Sequence, residues 1–189
     1  DTLVDSRGCE KLVNQLIEYD QRLYKDALTG VYNRRYFEEQ IKKKNENAGV
    51  AVIDMDDFKL CNDTLGHSAG DAALRTMVKT VKHCIRKTDI LIRYGGDEFI
   101  LILQNIKKEN FFNKLVQIQS DIHAANVPGF PKLQLSVSIG GVISSKETVE
   151  HAVMQADKLM YQAKEHKNMV VTEDNASYVA PGVANRKAR

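Results

Sequence analysis

Cysteine is scarce in this chain, and neither sign of charge is in excess. Cys9, Cys61 and Cys84 are odd in number, scattered and without C-x-x-C spacing. That argues against a disulfide framework or a zinc site and fits a reducing cytoplasm. The formal net charge is +2, so the clustered basic footprint of a nucleic-acid binder is missing. No apolar run is long enough to span a membrane, no secretory signal stands at the start, and no internal repeat is visible. What remains is 189 residues, 43% of them hydrophobic, enough for one domain with a sizeable core plus extensions at its ends. The chain begins at Asp1 rather than Met, so it is expected to be a piece of a longer protein whose upstream part could carry a membrane anchor.

The most informative stretch is Arg93-Tyr94-Gly95-Gly96-Asp97-Glu98-Phe99. Ile90-Leu91-Ile92 leads in and Phe99-Ile100-Leu101-Ile102-Leu103 leads out, both reading as buried strands around a tight Gly-Gly turn. Asp97 and Glu98 then sit at a hairpin tip beside two residues with no side chain, where a bulky ligand can approach the backbone. Read alone, the segment could equally be a solvated turn. A third carboxylate close by would decide against that.

The other elements follow from periodicity. Residues 10–25 read as a helix with a narrow seam, Leu12, Leu16, Tyr19 and Leu23, spaced like heptad a and d positions. Such a seam either packs on its own domain or pairs with a partner's copy. Thr29-Gly30 breaks that helix, and Asn33 suits the N-cap of the next, which turns Phe37 and Ile41 inward. Val50-Ala51-Val52-Ile53 reads as a buried strand ending on Asp54. An acid there can serve as ligand or catalyst, and the backbone that follows can turn its amides toward a phosphate. The stretch to Asp71 reads as a loop punctuated by Gly66 and Gly70, before a helix striped by Leu74, Met77, Val78, Val81 and Ile85. A second helix carries Phe111, Leu115, Ile118 and Ile122. A half-buried strand alternates Leu133, Leu135, Val137 and Ile139 with polar residues, and a third helix carries Val149, Val153, Ala156, Met160 and Ala163. Met169-Val170-Val171 is a short last strand, and from Glu173 onward the chain reads as a disordered tail. The order contains a β-α-β-β-α-β unit of the ferredoxin-like kind, an α/β (α+β) core in which Asp54 could face Asp97 and Glu98.

Four segments in this order resemble the GGDEF domain, the catalytic domain of bacterial diguanylate cyclases. They are residues 26–37 (D-x-L-T-x-x-x-N-R-R-x-F), 54–71 (D-x-D-x-F-K-x-x-N-D-x-x-G-H-x-x-G-D), 93–99, and Ala156-Asp157-Lys158-Leu159-Met160-Tyr161-Gln162-Ala163-Lys164. The resemblance spans about residues 25–172 and divides the chain into a linker or signalling helix (1–25), a catalytic domain (26–172) and a tail (173–189). It implies a palm-like fold shared with nucleotide cyclases and polymerases, and condensation of two GTP into cyclic di-GMP in a homodimer, with Mg²⁺ or Mn²⁺ as cofactor. Asp54, the Met55 carbonyl, Asp97 and Glu98 match the metal ligands, as expected for a hard cation that takes oxygen. Asp97 also matches the group that helps deprotonate the ribose 3′-hydroxyl. Asn62 and Asp71 match the guanine-binding positions, and His67 matches a further substrate contact, although it could equally brace the loop. Phe58 and Lys59 would offer backbone amides to the phosphates, and Lys164 matches a triphosphate-contacting lysine. Arg86 and Asp89 match the inhibitory R-x-x-D motif that binds product, with a plain helix end as the other reading. A sensory or regulatory domain is expected upstream, and the work is expected in the cytoplasm.

The chain departs from the family pattern in two places. After Lys164 the family usually reads K-x-x-G-R-N. Here Lys164-Glu165-His166-Lys167-Asn168 is one residue shorter, without the glycine and with lysine for arginine. A lysine cannot reproduce a bidentate arginine contact. On the helix after the hairpin, where many members carry arginines, this chain has Gln117 and Gln119. Two other functions stand beside the cyclase. One is a degenerate domain that only senses GTP or cyclic di-GMP, which the intact hairpin acids oppose. The other is a cyclase making a mixed GMP-AMP product, which Asp71 opposes.

Overall fold

The structure is a computed structural model that describes residues 6–178. In chain order it contains α1 (Ser6–Tyr24), β1 (Tyr32–Asn33), α2 (Arg34–Tyr36, running on as a π-helical turn, Phe37–Ile41), β2 (Ala48–Met55), α3 (Phe58–Leu65) and α4 (His67–Cys84). Then come β3 (Ile90–Arg93), β4 (Glu98–Gln104), α5 (Lys108–Ala124), β5 (Val137–Ser144), α6 (Val149–His166), β6 (Met169–Thr172) and β7 (Ala176–Tyr178). One seven-stranded sheet runs β1-β3-β4-β2-β5-β6-β7. Its middle, β3-β4-β2-β5, is antiparallel throughout and is the ferredoxin-like unit expected from the sequence.

Helices cover both faces of this sheet, which is why its central strands are apolar without a break. Along β2, Ala51, Ile53 and Met55 face the core shared with α4 and α5, while Val50 and Val52 face α6. Along β4, Phe99, Leu101 and Leu103 join the first core. Ile100 and Ile102 join Phe37 and Ile41 on the other side. Asn33 is the N-cap of α2, its side chain accepting from Tyr36 N at 3.0 Å.

Four elements differ from the sequence reading. The stretch after β2 holds a helix, α3, which buries no residue and so shows no apolar stripe. Gly70 lies inside α4, where a Cβ would collide with the Asn62 amide, so glycine there lets α3 and α4 close on each other. Strand β5 starts at Val137 and runs through Gly140-Gly141 with both faces covered. A Cβ on Gly140 would meet the α6 backbone at Ala156 and Met160, so α6 sits directly on the strand. Finally, the expected tail opens with a Thr172–Asn175 turn and β7, which pairs antiparallel with β6. A three-residue strand is too short to show a period. The rest of that tail, residues 179–189, lies outside the described residues.

Helix α1 buries nothing. Leu12, Leu16 and Tyr19 of the seam are exposed, as are Val13 and Ile17 beside them. Only Leu23, at the end of the seam, is half-buried against the domain, where Asn33 donates to its carbonyl, so most of the seam is not packed on its own domain. No helix among the described residues is long and apolar enough to cross a membrane.

Candidate active site

The sheet register brings the acids together. Asp54, near the end of β2, lies directly opposite Glu98, the first residue of β4. Met55 N donates to Asp97 O at 3.1 Å, which fastens the hairpin tip to the end of β2. Arg93 braces the turn, donating to Gly96 O from Nη2 at 2.7 Å and from Nε at 3.1 Å. Its other Nη pairs with Asp26 at 3.2 Å. Asp26 in turn accepts from Thr29 N and Thr29 Oγ1. The Asp26-Ala27-Leu28-Thr29 entry segment is thus a clamp on the hairpin. The sequence reading gave Asp26 and Arg93 no role.

These acids outnumber the cations that face them. Burial pushes the Asp54 carboxyl up to about 6; Lys164 opposes the rise and Asp97 adds to it. Burial also raises Glu98, helped by Asp157, Asp54 and Asp97. Asp157 on α6, itself raised by burial, is a further acid that the sequence reading passed over. Asp54 Oδ1 is buried, and the Lys164 ammonium 3.0 Å away faces it. A cluster of carboxylates raised by burial and by one another, with a backbone carbonyl alongside, fits a hard divalent cation. Among the described residues no three acid, histidine or cysteine side chains already converge as a ligand set.

Lys164 is half-buried rather than a solvated helix lysine. Its Nζ lies 3.0 Å from Asp54 Oδ1, 3.1 Å from Met55 O and 3.3 Å from Asp56 Oδ1. Burial works against its charge, but Asp54 and Asp56 outweigh that and hold its pKa above the ordinary lysine value. Asp56, unassigned by sequence, has a side chain only 1% exposed. It accepts from Ser136 Oγ at 2.5 Å, Ser138 Oγ at 2.7 Å and Asn168 N at 2.8 Å. Ser136 and Ser138, polar residues of the expected half-buried strand, therefore point into this network, while Gln134 is exposed. Asp56 is a satisfied anchor holding β5, the end of α6 and Lys164 together.

Asp57, with φ +56°, turns the chain into α3 without a capping side chain. The first-turn amides, Phe58 and Lys59 among them, are of the kind that receives an anion. Lys167 pairs with Asp57 at 2.7 Å across the same corner. It adopts φ +58° and ψ 163°, a conformation proper to glycine, at the place where the expected glycine is missing. On the other side of α3, the Asn62 amide is seated against Gly70, next to Asp71. His67 is exposed in the first turn of α4, one helical turn before Asp71.

Arg86 and Asp89 form a closed corner. Asp89, its side chain 3% exposed, accepts from Arg86 N at 2.8 Å and Gln104 N at 2.9 Å, and pairs with Arg86 Nη2 at 3.0 Å. Clefts of about 330 and 440 Å³ lie on either side of it, lined by Lys82 and Lys87 on one side and Lys107 and Lys114 on the other. Gln119, considered at an arginine position, is fully buried and bonded to Asn168, so it faces the core.

Residues 23–169 match the family model described as diguanylate cyclase, GGDEF domain. The chain belongs to the GGDEF family. Diguanylate cyclase DgcS of Shewanella oneidensis is 36% identical over 149 residues, covering 74% of this chain and 49% of that protein. Probable diguanylate cyclase DgcC of Escherichia coli is 29% identical over 163 residues, covering 79% of this chain and 44% of that one. The chain thus spans about half the length of these curated GGDEF relatives. Among solved structures, diguanylate cyclase SiaD of Pseudomonas aeruginosa, in complex with its activator SiaC, superposes with TM-score 0.75 at 27% identity, over 89% of this chain and 69% of that one.

Proposed function

We propose that this GGDEF domain is a diguanylate cyclase that condenses two GTP into cyclic di-GMP and two pyrophosphates. The observation that carries this reading is the register-fixed carboxylate cluster of Asp54, Asp97 and Glu98, whose charge is left under-compensated. Asp54, Met55 O, Asp97 and Glu98 would hold Mg²⁺ or Mn²⁺. Such an ion, when bound, neutralises triphosphate charge and acidifies a ribose hydroxyl. The chain's own groups do the rest. Asp97, at the tip, is placed to take the 3′-hydroxyl proton. The first-turn amides of α3 and the lysines Lys164 and Lys167 bind phosphate oxygens. Asn62 and Asp71 accept from and donate to the guanine edge, and an adenine leaves Asp71 without its N1–H and N2–H₂ partners.

The acids are half-buried beside a cleft of about 290 Å³ that Met55, Asp57 and Phe58 help to line, and the clefts of about 330 and 440 Å³ lie elsewhere. Such a half-site suits a reaction in which two copies face each other, each 3′-hydroxyl meeting the other's α-phosphate. The exposed apolar seam of α1 supports a homodimer, with this helix linking to a sensory or regulatory domain upstream. GTP is a cytoplasmic nucleotide, so the domain works on the cytoplasmic side of any anchor. The basic clefts beside Arg86 support product binding there as feedback, through a pair that must open first. Gln119 supplies no second clamp, so that feedback is weaker than with both.

The test is incubation with GTP and Mg²⁺, with chromatography for cyclic di-GMP across a range of protein concentrations. Specific activity rises with concentration until dimers saturate, and ATP competes poorly. GTP bound without turnover at any concentration would reduce the domain to a sensor.

A further inference from the structure

Lys164 reaches three oxygens at once, and two of them, Asp54 Oδ1 and Met55 O, are assigned above to a divalent ion. The third, Asp56 Oδ1, belongs to the saturated anchor. The two groups of contacts are not equally firm. Asp56 is held by two serine hydroxyls and the Asn168 amide, whatever the lysine does. Asp54 Oδ1 is buried and has no such shell of serine and backbone donors; the ammonium 3.0 Å away is what faces it. A lysine is a compact point charge on a flexible stem, and this side chain is still 26% exposed, so it has a path outward. An ammonium and a divalent ion cannot share these oxygens, because at such separations their mutual repulsion is large in a half-buried site.

We propose that Lys164 is a resident counter-cation that closes the Asp54–Met55 oxygens to a bare divalent ion and leaves them when the substrate's phosphates offer it a stronger anion. The inference rests on reading Asp54 and Met55 O as metal ligands. Its consequence is an order of events. Metal and nucleotide enter together, since each clears the way for the other, and the nucleotide-free domain ignores ambient divalent ions. Lys164 thereby couples the two halves of the site besides contacting phosphate.

The probe is Mn²⁺ alone, titrated without nucleotide and followed by electron paramagnetic resonance of the free ion. The parent is compared with Asp54→Asn, Lys164→Met, Lys164→Gln, and each lysine variant combined with Asp54→Asn. Circular dichroism checks folding, and the Gln variant carries the test if the Met variant does not fold. If the ammonium is away in about one molecule in ten, its removal tightens Mn²⁺ binding about tenfold. A non-hydrolysable GTP analogue should then improve Mn²⁺ affinity far more in the parent than in the variants. Tighter binding that is lost on adding Asp54→Asn supports the proposal. Lysine variants that bind no more tightly than the parent overturn it. In that case, parent binding abolished by Asp54→Asn leaves the metal-ligand reading standing. A gain that survives Asp54→Asn means the ion sits elsewhere, and the ligand reading falls together with the inference.

Discussion

The acids at the end of β2 and the acid at the Arg86–Asp89 corner differ in how their oxygens are used. Asp54 and Glu98 are half-buried, lie opposite each other beside Asp97, and have pKa values raised first by burial and then by the neighbouring acids. Asp89 is more deeply buried, yet its carboxylate is taken up by two backbone N–H groups and a guanidinium. The first set is balanced by a single half-buried ammonium and costs the fold stability. The second is already satisfied and supports the fold, so a ligand can use it only by breaking bonds first. Both match family motifs equally well by letter. Whether an acid is available for binding is decided by its hydrogen-bond partners, which the motif does not display.

The largest effect that tests this contrast is on turnover. Asp97→Ala removes a tip acid that fills no core, so product formation should fall about a thousandfold or more, while the melting temperature moves by no more than about 2 °C. Substantial turnover by the folded variant would remove the hairpin from the chemistry and leave the two regions alike.

At the other corner the loss should appear in stability. Asp89→Ala strands the Arg86 and Gln104 N–H groups and should destabilise by about 2–3 kcal/mol in chemical denaturation. Arg86→Ala, trimming a side chain 59% exposed, should cost under about 1 kcal/mol. It should also weaken cyclic di-GMP binding measured by calorimetry. An Asp89→Ala variant as stable as the parent would show that the corner is open in solution. Equal product affinity in parent and Arg86→Ala would leave Arg86 and Asp89 as a helix end only.

The acid cluster was legible because strand register follows hydrophobic pattern. Once Val50–Ile53 and Phe99–Leu103 read as adjacent strands, Asp54 had to fall near Glu98. The Asn33 cap was legible for a similar local reason. What stayed hidden depended on partners far away in sequence. Helix α3 has eight residues, no capping side chain and no buried face, so nothing periodic marked it. The alternation that marked the fifth strand ended at Ile139, because Gly140-Gly141 carry no side chain; they admit α6 on one face and Phe111 and Leu115 on the other. Gln119 stands on the helix where many family members carry arginines, yet its amide finds Asn168 inside the core. Asp56 and Lys164 could not be assigned their contacts, since those join residues more than a hundred apart in the chain.

The smallest expected effect carries the sign that separates the two regions most sharply. Asp54→Asn should abolish activity yet stabilise the metal-free domain. A carboxyl lifted from 3.8 to about 6 on folding costs up to about 3 kcal/mol once ionised. The attraction of Lys164 is already contained in that figure, and burying an amide without matched partners takes back part of the relief, leaving a gain of about 1 kcal/mol. Below pH 3.8 the carboxyl is protonated in both folded and unfolded chains, so parent and variant should differ by nothing from this source. Between 3.8 and 6 the unfolded chain releases its proton first, and the parent loses ground as pH rises. Above 6 the difference is complete. Melting curves in a chelator, taken from pH 3.5 to 7.5, should therefore diverge in the variant's favour through that window. Adding Mg²⁺ with a non-hydrolysable GTP analogue at pH 7.5 should then raise the parent's melting temperature and leave the variant's nearly unmoved. A variant less stable than the parent at pH 7.5 would mean that Lys164 compensates Asp54 in full, and the acid cluster would then be as self-satisfied as the Asp89 corner.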